Sequence, residues 1–311
     1  MIYGYGDYTY SLVEDWAKIP AGDSLVDVVG ISVDSDDNVY AFNRSKRPLI
    51  VFDRDGNEID SWGVGLFKRP HGSCITPEGD IWLTDDTSHV AYKFTKEGEQ
   101  LMKLGEVGKK SDTGYRAGLD IFERLSSITR SAGPFNLPTG VAVSSTGDIF
   151  VSDGYGNARV HRFSPEGELI LSWGEPGAGK GQFRLPHNVW IDKEDRVWVP
   201  DRENSRVQIF DTEGEFLDEW IDLFRPTHVN MDDDETVYIS ELCRRISIYS
   251  IDGELLSRWG NENHSLDDPL FVGPHVLCVD CHGDLYVGEV AITFGHVDRG
   301  ARTIQKFKRR Y

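Results

Sequence analysis

One unit of about 40 residues, copied along the chain, limits what this sequence can fold into. It is clearest at 138–174, PTGVAVSSTGDIFVSDGYGNARVHRFSPEGELILSWG, and it recurs at 70–105, 186–220 and 226–260. A first copy without the leading proline runs 28–63, and a last copy, 274–308, stops after TIQKFKR. Each copy holds four strand-sized alternating runs; in the third they are GVAV, DIFVSD, RVHRFS and ELILSW. STGD and SPEGE are the hairpin turns between them, with Gly147 and Gly167 supplying positive φ. Four antiparallel strands at this period make one propeller blade. The sixth copy lacks its outer strand, while the N-terminal YSLVEDWAKI resembles ELILSWG and is spare. The sequence therefore predicts an all-β, six-bladed β-propeller over 1–311, a single domain whose ring is closed by an N-terminal strand completing the last blade.

Composition narrows the partners. The formal charge is −19, and so acidic a surface repels nucleic acid and anionic membrane. No stretch approaches the ~20 apolar residues of a membrane span. The opening MIYGYGDYTYSLVEDWAK has neither the basic start nor the apolar run of a secretion signal. Cys278 and Cys281 form a C-x-x-C that crosses a strand end and a turn. It reads, with Cys74 and Cys243, as buried or edge thiols in a reducing compartment, so a cytoplasmic location is expected.

Two segments exceed the template, 106–133 and 290–301. The first contains GLDIFERLSSI, with helical spacing of Leu119, Ile121, Phe122 and Leu125. Both follow second or fourth strands in a way that puts them at one mouth of the ring, and both are expected to act as lids.

Aligning the copies on the proline places His71, Thr139, His187, Thr227 and His275 at one position, with Val29 as the equivalent in the first copy. Histidine thus occupies alternate blades, a third of a turn apart, at the head of the innermost strand. Three such imidazoles would meet on the channel axis. Neutral imidazoles suit zinc, and three protein ligands leave a position open. His89, His161, His264, His282 and His296 lack this symmetry and read as ordinary histidines; His228 follows Thr227 and is a candidate supporting residue. The loops after the second strands open on the same mouth and carry Arg44, Tyr155 and Arg202. Two guanidiniums beside a metal suit a carboxylate, and a cation beside a phenol favours the phenolate, a general base.

At these residues the chain resembles the NHL repeats, which form six-bladed propellers. Within that group it is similar to peptidyl-α-hydroxyglycine α-amidating lyase, best over VSDGYGNARVHRFSPEGELILSWGEPGAGKGQFRLPHNV and VPDRENSRVQIF. The resemblance implies zinc on His71, His187 and His275, a catalytic tyrosine at Tyr155 in SDGY, and active-site arginines at Arg44 in FNRSK and Arg202 in DRENS. The implied reaction cleaves an N-acyl α-hydroxyglycine to a primary amide and glyoxylate. The substrate would be a small molecule or peptide bearing a carboxylate. The chain also departs from the family. Val276 stands where a calcium-binding carboxylate is expected, so calcium is doubtful; Gly273 replaces a methionine, and Gly156 replaces a disulfide cysteine of secreted members. Two alternatives remain open from sequence: a non-catalytic propeller binding a protein or peptide, and a metal-dependent hydrolase of the lactonase type. The latter's calcium sites use carboxylates and Asn, where this chain has His, Thr and Val. Oligomeric state is not readable.

Overall fold

The computed structural model describes every residue except 21, 119, 263 and 266. The chain is a six-bladed β-propeller of four-stranded antiparallel sheets, with little helix. It divides into two compact units, one of Met1–Leu66 with Thr227–Tyr311 and one of Phe67–Pro226.

Phe67–Pro226 carries blades two, three and four. Blade three shows the pattern: Pro138–Val143, Ile149–Asp153, Arg159–Phe163 and Leu169–Trp173 pair in order. Its second strand, IFVSD, is buried throughout, whereas the outer LILSW is exposed or half-buried. Strands covered on both faces by neighbouring blades read as continuous apolar runs. The cores accordingly lie between blades: Trp82, Phe135, Val141 and Val151 join blades two and three, and Phe150, Val160, Phe183 and Phe210 join three and four. Gly147 and Gly167 take the positive φ expected of the hairpin turns.

The other unit carries blades one, five and six. The N-terminal strand completes blade six as expected: Tyr8–Val13 runs antiparallel to Ile304–Arg310, from Thr9 opposite Arg310 to Val13 opposite Lys306. The strand begins and ends earlier than YSLVEDWAKI suggested. Asp15 turns the chain at φ 49, and Trp16 is buried between Phe52 and Tyr286 with its Nε1 donating to the Arg54 carbonyl at 3.0 Å. A further strand, Tyr3–Tyr5, adds a fifth to the sheet.

The 106–133 insertion contains one short helix, α1 (Ile121–Ser126), capped by Asp120, which accepts from Phe122 N and Glu123 N. Leu119, part of the predicted spacing, lies outside the described residues. The 290–301 insertion contains a second, α2 (Ala291–Gly295), which no sequence spacing indicated.

Candidate active site

The position shared by His71, Thr139, His275 and Val29 is a β-bulge. The ladder steps from Pro70 to Ser73, Pro138 to Gly140, Pro274 to Val276 and Val28 to Gly30, leaving the residue after the proline, or the equivalent Val29, out of register, with Gly72 as well in blade two. In blade four the interruption is longer: regular pairing resumes only at Trp190–Ile191, and His187 N donates to Pro200 O at 2.8 Å. A bulge frees a side chain from the pleat and re-aims it. All three histidines are nearly fully buried.

Two sets of residues to which the sequence reading gave no role fix these bulges. The second strands of the six blades end in Asn43, Asp85, Asp153, Asp201, Glu241 and Glu289, every one with zero exposure. In the histidine blades the carboxylate accepts two backbone N–H groups from the segment ahead of the proline. Asp85 takes Lys68 N and Arg69 N at 2.6 and 3.1 Å; Asp201 takes Arg184 N and Leu185 N at 2.9 and 3.1 Å; Glu289 takes Val272 N and Gly273 N at 2.5 and 3.0 Å. The threonine blades supply the second set. Thr139 Oγ1 donates to Pro186 O at 2.7 Å, and Thr227 Oγ1 to Pro274 O at 3.2 Å. Each threonine thereby fastens the proline that precedes a histidine. An acid and a threonine recurring at fixed repeat positions were the available signals.

Within Phe67–Pro226 the structure brings His71, His187, Tyr155 and Arg202 together. The His71 and His187 rings lie 4.9 Å apart, edge to face. Their Nε2 atoms sit 3.4 and 3.2 Å from the Tyr155 hydroxyl, and Arg202 Nη1 donates to the same oxygen at 3.1 Å. His71 Nδ1 lies 2.6 Å from Thr139 O. A carbonyl only accepts, so Nδ1 carries the proton and Nε2 keeps its lone pair, the tautomer a metal ligand needs. Gly154 sets the height of the tyrosine: a Cβ there would meet Pro186 O at 2.0 Å, so only glycine lets this loop lie against the segment carrying His187. Above it, Leu125 of α1 and Ile128 pack with Leu185 against the Tyr155 ring.

Arg202 is itself held. Its Nε donates to Glu203 at 2.8 Å, and Glu203 accepts from Arg225 at 2.6 Å. Burial opposes the charge on Arg202, but Tyr155 and Glu203 outweigh it and the guanidinium's pKa is raised. Burial likewise pushes Glu203 up, and the Arg202 and Arg225 guanidiniums more than offset it. Arg69, missed in the sequence although it precedes Pro70-His71, pairs with buried Asp86 and lies 5.6 Å over the Tyr155 ring; Arg202 lies 5.4 Å from the same ring. Two guanidiniums thus flank one aromatic ring, a cation–π arrangement.

In the other unit, His275 follows the pinned Val272–Gly273 segment. Gly273 gives its space to the insertion, since a Cβ there would meet Phe294 of α2 at 2.9 Å. Val276 is buried in the apolar core with Val28 and Ile31. Arg44 pairs with Asp27 at 3.1 Å and donates to Thr293 Oγ1 at 3.1 Å. Asp27, which is fully buried, also accepts Ile292 N and Thr293 N at 3.0 and 3.2 Å, so one carboxylate joins the arginine loop to α2. His228 is buried, and burial lowers its pKa to about 3.

Fold and repeat make this an NHL-type propeller whose Tyr155 loop lies over bulge-mounted histidines. The NHL repeat family matches residues 135–163. NHL repeat-containing protein 3 of Homo sapiens is 30% identical over 277 residues, covering 83% of this chain and 72% of that protein. Peptidylglycine alpha-amidating monooxygenase of Rattus norvegicus is 31% identical over 246 residues, covering 64% of this chain and 23% of that protein. Peptidyl-alpha-hydroxyglycine alpha-amidating lyase 1 of Drosophila melanogaster is 35% identical over 161 residues, covering 48% of this chain and 26% of that protein. The match thus spans about a quarter of each of these two amidating proteins. The chain belongs to the NHL-repeat propeller family, with amidating lyases among its relatives.

Proposed function

We propose that the protein is a zinc-dependent lyase that cleaves an N-acyl α-hydroxyglycine to a primary amide and glyoxylate. The observation that carries this reading is the Tyr155 hydroxyl, bonded at once to His71 Nε2, His187 Nε2 and Arg202. A phenol placed between two imidazoles and a guanidinium is positioned for proton transfer, and a propeller that only binds a partner has no use for it.

The donor chemistry fits a divalent ion. His71, His187 and His275 are three buried imidazoles that could hold a metal, and the His71 tautomer leaves Nε2 as the donor. Zinc, when bound, lowers the pKa of a coordinated hydroxyl. Tyr155 takes the proton of the substrate hydroxyl. As the carbonyl forms, the C–N bond breaks, its electron pair moves to nitrogen, and Tyr155 returns the proton there. Atoms balance with no water consumed. Arg202 holds the phenolate through Nη1 and stabilises the charge that develops. Arg44 is the candidate for the substrate carboxylate, working from its Asp27 pair, and the two insertions act as lids. Cys74, Cys243, Cys278 and Cys281 as thiols support a reducing, cytoplasmic setting; among the described residues no helix is long and apolar enough to cross a membrane.

The test is glyoxylate release from an N-acyl α-hydroxyglycine. EDTA should abolish it and zinc restore it. Full turnover in metal-free protein would remove the metal from the mechanism, and no turnover with metal bound would favour the binding reading.

A further inference from the structure

The C-x-x-C at Cys278 and Cys281 does not act as a pair. Cys278 is buried on the strand Pro274–Val279, with its thiol directed to the Val279 carbonyl. Cys281 lies beyond it in the turn between the first and second strands of blade six and is exposed. Its neighbour His282, read from sequence as ordinary, shares that turn. Both face Asp37, in the corresponding turn of blade one, within the same compact unit.

We propose that Asp37, Cys281 and His282 form a second divalent-metal site of the zinc class, bridging the hairpin turns of blades one and six. Their ligand atoms lie within 4.8 Å of one another. Cys281 Sγ is 3.4 Å from Asp37 Oδ1, and His282 Nε2 is 3.1 Å from Asp37 Oδ2. Around a tetrahedral zinc with ordinary bond lengths, sulfur–oxygen and nitrogen–oxygen separations are about 3.3 to 3.6 Å.

The two turns are built alike, which holds the donors in place. Asp34 Oδ1 accepts Asp36 N and Asn38 N, both at 2.9 Å, and Asp37 takes the left-handed conformation at φ 62. Asp280 Oδ1 accepts His282 N and Asp284 N at 3.0 and 2.9 Å, and Gly283 takes the left-handed conformation at φ 75. The His282 carbonyl is further fixed by Tyr311 Oη at 2.8 Å. One thiolate, one imidazole and one carboxylate suit zinc and exclude magnesium and calcium, which take oxygen. Partial burial, the hydrogen bond to Asp37 and the charge of Asp37 keep the Cys281 thiol protonated above its ordinary range. A bound cation replaces that proton. The His282 side chain is 49% exposed and that of Asp37 20%, so the fourth position opens to water. The site does not depend on the lyase reading.

Cobalt(II) alone, titrated into metal-free protein, tests it. A thiolate ligand gives a near-ultraviolet charge-transfer band that a three-histidine site cannot produce. The band should saturate by two equivalents in wild type, where the histidine site fills as well, and at one equivalent in His187→Ala; it should vanish in Cys281→Ser and weaken at least tenfold in affinity in Asp37→Asn and in His282→Ala. Circular dichroism should show the Cys281, Asp37 and His282 variants folded, because these three side chains lie at the surface, and Cys281→Ser should keep its glyoxylate release. Absence of the band in wild type, its survival in Cys281→Ser, or unchanged affinity in Asp37→Asn would overturn the site while leaving the lyase reading untouched.

Discussion

Replacing Tyr155 with Phe removes the oxygen that meets His71, His187 and Arg202 at once. The ring should stay where it is, because Leu125, Ile128 and Leu185 pack against its carbon face. Arg202 loses its bond to the hydroxyl but keeps Glu203 at 2.8 Å. A hydrogen bond to a charged group is worth about 1.5–3 kcal/mol, which bounds the loss of stability. The loss of rate should be larger. A positioned proton donor and acceptor contributes roughly 10²- to 10⁴-fold, and at 1.36 kcal/mol per tenfold this is about 3 to 5 kcal/mol on the barrier. The assay is initial-rate glyoxylate release across substrate concentration, with thermal melting and metal content measured on the same sample. The expected result is a fall in kcat of at least a hundredfold with KM and metal content little changed. Turnover within threefold of wild type would refute proton transfer by Tyr155, and a rate loss matched by metal loss would make it a scaffold residue.

Asp201→Ala should destabilise the protein by about 3–5 kcal/mol, the usual cost of leaving buried charge partners unmatched, because Arg184 N, Leu185 N and Arg206 Nε lose their acceptor; denaturant titration measures this. His228 gives a pH dependence. Its folded pKa of about 3 lies below the ordinary 6.5, so below pH 6.5 the unfolded chain gains a proton that the folded chain refuses, and stability falls as pH drops. At 1.36 kcal/mol per unit the loss is about 2 kcal/mol by pH 5, growing until pH nears 3. His228→Gln should flatten this limb; an unchanged slope would show that His228 titrates normally. Asp27→Asn should weaken the tie between Arg44 and α2 and raise KM more than it lowers kcat, because the arginine is expected to meet the substrate carboxylate; an unchanged KM would count against that role.

The repeat made the fold legible. Alternation at period two and glycine at each turn fix the strands locally, and a missing outer strand in the sixth copy, with a spare one at the N-terminus, fixes the closure that Tyr8–Val13 and Ile304–Arg310 make. His71 and His187 were visible because equivalent repeat positions become equivalent places in the sheet. What escaped the sequence was whatever depends on contact between copies. The bulge is invisible in a string of letters, since Pro-His-Gly-Ser-Cys reads as unbroken strand. Thr139 and Thr227 were seen as interruptions of a histidine pattern, yet they fasten Pro186 and Pro274. Arg69 stacks on a ring 86 residues later, and Cys281 meets Asp37 across 244 residues. Helix α2 has no capping side chain and only five residues; Asp27, far off in the chain, accepts its first amides.

Anomalous diffraction at the zinc edge, from crystals grown with zinc, addresses the three histidines without relying on any assay of turnover. The expected result is a peak about 2.0–2.1 Å from one nitrogen each of His71, His187 and His275, beside the Tyr155 hydroxyl. Density bound by fewer than all three, or no peak among them while zinc occupies other sites, would contradict the metal centre on which the proposed chemistry stands.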